Sequence, residues 1–374
     1  MNYKNLYHCL SFLLFLIITL PFSTLSSAAK SLDVSAYSAY VYIPEADVTV
    51  YEKNATVRRP MASTTKIMTA IIAIENSCED DIIKIPKEAV GIEGTSAYLR
   101  EGDEFTVSDL LHAVLLQSAN DAATALAIGV GGSLEKFSRL MNEKAVELEL
   151  EDTHFTNPHG LDDEQHYTSA KDLAKLASYA LENPLFKTIV STYRKTISSL
   201  DGECVRTVVN HNKMLLLYEG ANGVKTGFTK KSGRCLVSSA ERNGMTVVCV
   251  TLNAPSDWHD HRIMLDCAFD NYEKQIFAKE NELEYALPVI NGDKSELRCR
   301  NQYEISAILR KDSTEATLVA ELDKFAVAPI KKGEVIGYVH YKIDSEIVAS
   351  SPLIATETIK EQKYKKGIFG FGRT

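Results

Sequence analysis

The 374 residues are 45% apolar and 24% charged, a length and composition that favour two or three globular domains with ample core. A net charge of −9 leaves no dominant basic field to neutralise phosphates, so a nucleic-acid partner is excluded.

Lys4 is the only charge before the apolar run Leu10–Leu20, and the small residues Ser26-Ser-Ala-Ala29 follow. This is the pattern of a cleaved signal peptide over residues 1–29, with an apolar run too short for a comfortable membrane span. The mature chain is expected outside the cytoplasmic membrane, soluble or at most surface-attached. Cys9 leaves with the signal. The six remaining cysteines show no C-x-x-C and no close histidine spacing, so mostly buried free thiols and no metal site are expected.

Residues 39–43 and 48–51 read as a hairpin around Pro44-Glu-Ala-Asp47. Residues 64–75 read as a helix, with Ile67, Ile71 and Ile74 on one face. Residues 108–117 and 121–130 read as two helices interrupted at Ser118-Ala-Asn120, and Ser169-Ala-Lys-Asp172 opens another that stops near Asn183-Pro184. The period then changes. Val224–Phe228, Arg234–Glu241 and Thr246–Asn253 read as strands joined by tight turns, the second carrying Asn243-Gly244. Helices between an early hairpin and a late meander predict an α+β domain over residues 30–278, its helices packed on an antiparallel sheet. Alternation at Tyr303–Leu309, Ala316–Leu322 and Val335–Tyr341 predicts a small all-β domain over 279–358. Residues 359–374 form a tail in which Lys360, Lys363, Lys365 and Lys366 precede Ile368, Phe369 and Phe371, a composition suited to peripheral contact with anionic lipid. His154, His159 and His166 fit no common metal spacing. Asp162-Asp163-Glu164 reads as a solvated loop, and Trp258-His-Asp-His261 as a helix start with exposed imidazoles and a packing tryptophan.

Chemistry concentrates in three short stretches. On a helix, Ser63 and Lys66 lie about 60° apart around the axis and roughly 4.5 Å along it, so their side chains can meet. The positive end of the helix dipole would favour a developing alkoxide on Ser63. A lysine accepts the serine proton only when neutral, a state favoured by burial and by a second cation. Ser118 and Asn120 sit where an interrupted turn can aim a hydroxyl and an amide into a cleft. Lys225-Thr226-Gly227 lies on a strand, where Lys225 brings a positive charge and Gly227 lets a substrate backbone come close.

Together, Ser63-Thr-Thr-Lys66, Ser118-Ala-Asn120 and Lys225-Thr-Gly227 resemble the motif set of penicillin-binding proteins and serine β-lactamases. The stretches RPMASTTKIMTA, VLLQSANDAATALA, FTNPHGLDDEQHYTSAKDLAKLA and GVKTGFTKKSGRCLVSSAERNGM resemble one branch, the exported low-molecular-weight D-alanyl-D-alanine carboxypeptidases, over about residues 35–275. The β-rich part is similar to that branch's C-terminal domain. The resemblance implies that Ser63 attacks the carbonyl between the two terminal D-alanines of a peptidoglycan stem peptide, with Lys66 as general base. Ser118 would relay protons, and Asn120 would hold Lys66 and the substrate amide. Lys225 and Thr226 would bind the terminal carboxylate, and the backbone N–H groups of Ser63 and Phe228 would form the oxyanion hole. No metal or organic cofactor is implied, and β-lactams would acylate Ser63. Other functions considered on this scaffold are a β-lactamase, a DD-endopeptidase and a non-catalytic cell-wall binding protein. Ala119 in the second motif, and the lack of an evident E-x-x-x-N loop in 150–170, disfavour fast β-lactam hydrolysis.

Overall fold

The β-rich runs around Pro44 do fold back on each other. In the computed structural model, which describes residues 32–362, β1 (Ser38–Ile43) pairs antiparallel with β2 (Val48–Lys53) across a 3-10 turn at Pro44–Ala46. The expected signal segment 1–29 and the end of the tail, from Lys363 on, lie outside the described residues. α1 (Lys66–Asn76) follows, then the short strands β3 (Ile82–Lys84) and β4 (Glu104–Thr106). α2 (Val107–His112) continues into a π-helical turn at Ala113–Gln117, and α3 (Asn120–Gly131) starts after it.

α4 (Leu134–Glu147) lies in a stretch where no helix was predicted; Ser133 caps it by accepting from the Lys136 N–H. Ser169 likewise accepts from the Asp172 N–H and opens α5 (Ala170–Glu182), as its motif predicts. The chain restarts at once as α6 (Pro184–Ser191), because Asn183 caps the Leu185 and Phe186 amides and Pro184 fits the first turn. The hairpin β5 (Arg194–Ser198)–β6 (Val205–Val209) and the single-turn α7 (Met214–Leu217) lead to the meander β7 (Ala221–Thr229), β8 (Gly233–Arg242) and β9 (Met245–Leu252).

β1 inserts beside β9, giving a five-stranded antiparallel sheet in the order β2-β1-β9-β8-β7. β7 is therefore an edge strand, and that edge carries the site. The main core packs α1, α3 and α5 with the sheet; Ile67, Met68, Ile71, Leu126, Leu173 and Val250 are all buried there. α8 (Asp257–Asn271) contacts β8 and β9.

The remainder is all β. β10 (Tyr272–Ala278) pairs with β13 (Ile305–Arg310). β11 (Glu284–Ile290), β12 (Glu296–Asn301), β14 (Thr317–Leu322), β15 (Ala326–Val327), β16 (Val335–Ile343) and β17 (Glu346–Ala355) form a six-stranded sheet in the order β14-β16-β17-β12-β11-β15, with small cores around Leu353 and Ile359. Among the described residues, Cys204, Cys235, Cys249 and Cys299 are buried free thiols, and no helix is long and apolar enough to cross a membrane.

Candidate active site

Ser63 does not sit on an α-helix. Ala62–Thr65 is a 3-10 turn, and Lys66 is the first residue of α1. The side-chain hydroxyls of Thr64 and Thr65 donate back to the carbonyls of Met61 and Ala62, competing with α-helical pairing and tightening the turn. In a 3-10 turn residues i and i+3 eclipse, which stacks Lys66 over Ser63 more closely than α geometry would. The Lys66 Nζ lies 2.9 Å from Ser63 Oγ.

Two further acceptors hold the same amine. Lys66 Nζ donates to Asn120 Oδ1 at 2.7 Å and to the His159 carbonyl at 2.6 Å. Asn120 is fixed in turn, its Nδ2 donating to the Glu93 carbonyl at 2.5 Å and its backbone N–H to Thr95 O at 2.7 Å. Asp121 secures that loop, accepting from Ser96 Oγ and from the amides of Ala97 and Leu99. The π-helical turn ends at Ser118, whose left-handed backbone (φ 65°) breaks α2 from α3. Lys66 is fully buried, and burial followed by the neighbouring Lys225 cation pushes its pKa well below the ordinary lysine range; Asp121 opposes this.

The loop carrying the His159 carbonyl is built on a side-chain turn. Asn157 Oδ1 accepts from the amides of His159 and Gly160. His166 accepts at Nδ1 from the Thr156 N–H, so its Nε2–H faces Thr65 Oγ1 at 2.7 Å. Burial lowers the His166 pKa to about 4, and burial with the Lys66 charge lowers that of His159 to about 3. His166 thus braces the Ser63 turn as a neutral ring, and the neutral His159 ring accepts the Leu161 N–H within its own loop. His261, expected exposed, is buried on the face of α8 toward the sheet, between Ser238 Oγ and Thr251 Oγ1. Asp162, Asp163 and Glu164 are exposed, as read.

From the opposite side, β7 brings Lys225, Thr226, Gly227 and Phe228. Lys225 is buried, donates to the Thr226 carbonyl at 2.9 Å, and is lowered by burial to about 7. Burial thus opposes the fixed positive charge expected of it. Gly227 also meets the Ser63 turn. A Cβ there would lie 3.0 Å from the Ser63 nitrogen and 3.1 Å from Ala62 Cβ, so its bare backbone accommodates the Ser63 turn itself. Phe228 is exposed at the rim.

Ser63, Ser118, Thr226, Gly227 and Phe228 line one cleft of about 300 Å³, with Lys66, Asn120 and Lys225 buried behind it. The same cleft includes residues that the sequence did not mark as part of the site: Thr95, His211, Arg234 and Asp257. Arg234 ion-pairs with the buried Asp257 at 2.9 Å and lies over the Trp258 ring, so Trp258 backs a cation as well as packing. Burial, then Lys225, lowers the His211 pKa. Their sequence signal was weak, since Arg234 comes 9 residues after Lys225 on another strand and Asp257 opens a helix. Only the β7–β8 register, which sets Phe228 opposite Arg234, brings them together.

The chain is similar to known proteins along most of its length. A family model described as D-alanyl-D-alanine carboxypeptidase matches residues 25–256, and one described as penicillin-binding protein 5, C-terminal domain, matches 272–361. The chain is 32% identical over 336 residues to the D-alanyl-D-alanine carboxypeptidase DacF of Bacillus subtilis, covering 87% of this chain and 86% of that one. It is 34% identical over 250 residues to a D-alanyl-D-alanine carboxypeptidase of a Streptomyces species, covering 63% and 86%. The crystal structure of penicillin-binding protein 5 from Haemophilus influenzae superimposes with a TM-score of 0.68 at 27% identity, covering 88% of this chain and 99% of that one. The fold is thus penicillin-binding-protein-like, with an all-β C-terminal domain.

Proposed function

The chain belongs to the D-alanyl-D-alanine carboxypeptidase family of serine-type peptidases, and on that premise we propose an exported enzyme that works through an acyl-serine at Ser63. The observation carrying this reading is the 2.9 Å approach of Lys66 Nζ to Ser63 Oγ, with Asn120 Oδ1 and the His159 carbonyl on the same amine. A neutral amine has two N–H donors and one lone pair. With both donors engaged by those carbonyl oxygens, the lone pair faces the Ser63 hydroxyl and takes its proton as Oγ attacks the scissile carbonyl. The backbone N–H groups of Ser63 and Phe228 stabilise the oxyanion, and Ser118 passes the proton to the leaving amine. D-alanine departs, and water hydrolyses the ester. A β-lactam carrying a comparable carboxylate beside its amide acylates the same hydroxyl. The test is intact-mass measurement after incubation with a stem pentapeptide and then with penicillin. Free D-alanine and a single penicillin adduct are expected; absence of both sinks the reading.

We assign the grip on the terminal carboxylate to Lys225, Thr226 and Arg234 jointly. Lys225 loses its charge as pH rises through about 7, which leaves the Arg234 guanidinium to hold the carboxylate. The KM of the wild type should therefore rise only modestly above pH 7. In Arg234→Gln the KM should be higher at every pH and rise roughly tenfold per pH unit above that point, because a single titrating cation remains. Parallel KM–pH curves for the two proteins would remove Arg234 from the carboxylate site.

A further inference from the structure

A second cavity, of about 440 Å³, adjoins the cleft, and His211 lines both. Tyr193, Leu216 and Leu217 give it mostly apolar walls, and all three are at least half exposed. Its frame is rigid. Asn210, buried, donates from Nδ2 to the carbonyls of Val190 and Thr192 and accepts the Asn212 N–H at Oδ1. Asn212 Oδ1 accepts the Met214 N–H at the start of α7, and Asn212 Nδ2 is shielded from solvent. α7 thus holds Leu216 and Leu217 toward water, where two large apolar side chains gain nothing from the fold.

The cavity lies beside the cleft, with His211 as their common wall. In the carboxypeptidase reading, on which this inference rests, the leaving residue spans Ser63 and the Lys225–Thr226 carboxylate site. His211 borders that span, and the Lys225 charge acts on its ring. Because His211 is common to both spaces, a leaving side chain longer than methyl has apolar space to enter beyond that ring. We propose that the cavity beyond His211 is the subsite for the leaving residue's side chain, and that the enzyme releases bulky apolar D-amino acids, of leucine or methionine size, as well as D-alanine. The chemistry is unchanged. Ser63 Oγ forms the ester, the C–N bond to the D-residue breaks, that amine takes a proton, and water then regenerates the serine.

The test uses the full mature chain and diacetyl-L-Lys-D-Ala-D-Xaa tripeptides with Xaa alanine, leucine or methionine. The D-leucine and D-methionine substrates should show kcat/KM within about tenfold of the D-alanine substrate. A Leu216→Ser/Leu217→Ser variant, both positions exposed and outside the catalytic set, should lower the D-leucine and D-methionine values about tenfold and leave D-alanine release within about twofold. Release of D-alanine with D-leucine slower by more than about a hundredfold overturns the inference alone, as does an equal loss on all substrates in the double variant. Failure to release any D-residue overturns the carboxypeptidase reading with it.

Discussion

Lys66→Met is expected to slow acylation of Ser63 by on the order of 10⁴-fold, with Ser63→Ala removing the covalent adduct altogether. Methionine matches the length of the lysine stem, so the buried channel between α1 and α3 stays filled. What disappears is the base 2.9 Å from the nucleophile. The carbonyls of Asn120 and His159 lose a donor, which costs about 1–3 kcal/mol for each group left unsatisfied. Part of that cost is offset because an amine held far below its ordinary pKa is no longer desolvated. The near-ultraviolet circular dichroism should therefore remain native. Stopped-flow acylation by a fluorescent penicillin, with intact mass as the endpoint, gives the rate. Groups that act as a unit are non-additive, so the double variant should be no worse than Ser63→Ala. Acylation of Lys66→Met within tenfold of wild type would assign the base elsewhere.

The sequence reading located the elements that make local contacts. Ile67, Ile71 and Ile74 marked α1, Ser169 marked the start of α5, and Asn243-Gly244 marked the β8–β9 turn. It missed what is decided by distant contacts. Nothing within the first hairpin indicates that β1 pairs with β9, with Ala39 opposite Thr251, yet this pairing closes the sheet. α6 was lost because Asn183-Pro184 reads equally as the end of one helix and the cap of the next. At the site, residue types and spacing announced Ser63, Lys66 and Lys225, but geometry decided their states. Side-chain hydroxyls converted the helix start into a 3-10 turn, and burial lowers the pKa of Lys225. The second carbonyl acceptor on Lys66 was invisible for a simpler reason. It is a main-chain carbonyl, at His159, and side-chain chemistry does not report main-chain placement.

That carbonyl makes Gly160→Ala the most disruptive single methyl in the loop. Gly160 has φ +88°, and a Cβ there would stand 1.9 Å from the Ala62 carbonyl oxygen and 2.9 Å from Thr65 Oγ1. Both atoms belong to the turn that carries Ser63, and the first is backbone, so the loop itself must retreat. Retreat draws the adjoining His159 carbonyl away from Lys66 and frees the amine to rotate its lone pair off Ser63. Left-handed backbone alone costs about 1 kcal/mol for alanine, and displacing the loop adds to it, for a total of roughly 2–4 kcal/mol. A misplacement of about 1 Å can cost 10²-fold in rate, so kcat/KM should fall by about that factor. Gly202→Ala separates strain from positioning. Gly202 has φ +77° with nothing within 4 Å of the added Cβ, so it carries the backbone cost without the clash. It should lose about 1 kcal/mol of stability and keep its turnover. Thermal unfolding and D-alanine release, measured on both variants, distinguish the two effects. If Gly160→Ala loses stability yet acylates as fast as Gly202→Ala, the His159 carbonyl does not orient the lysine.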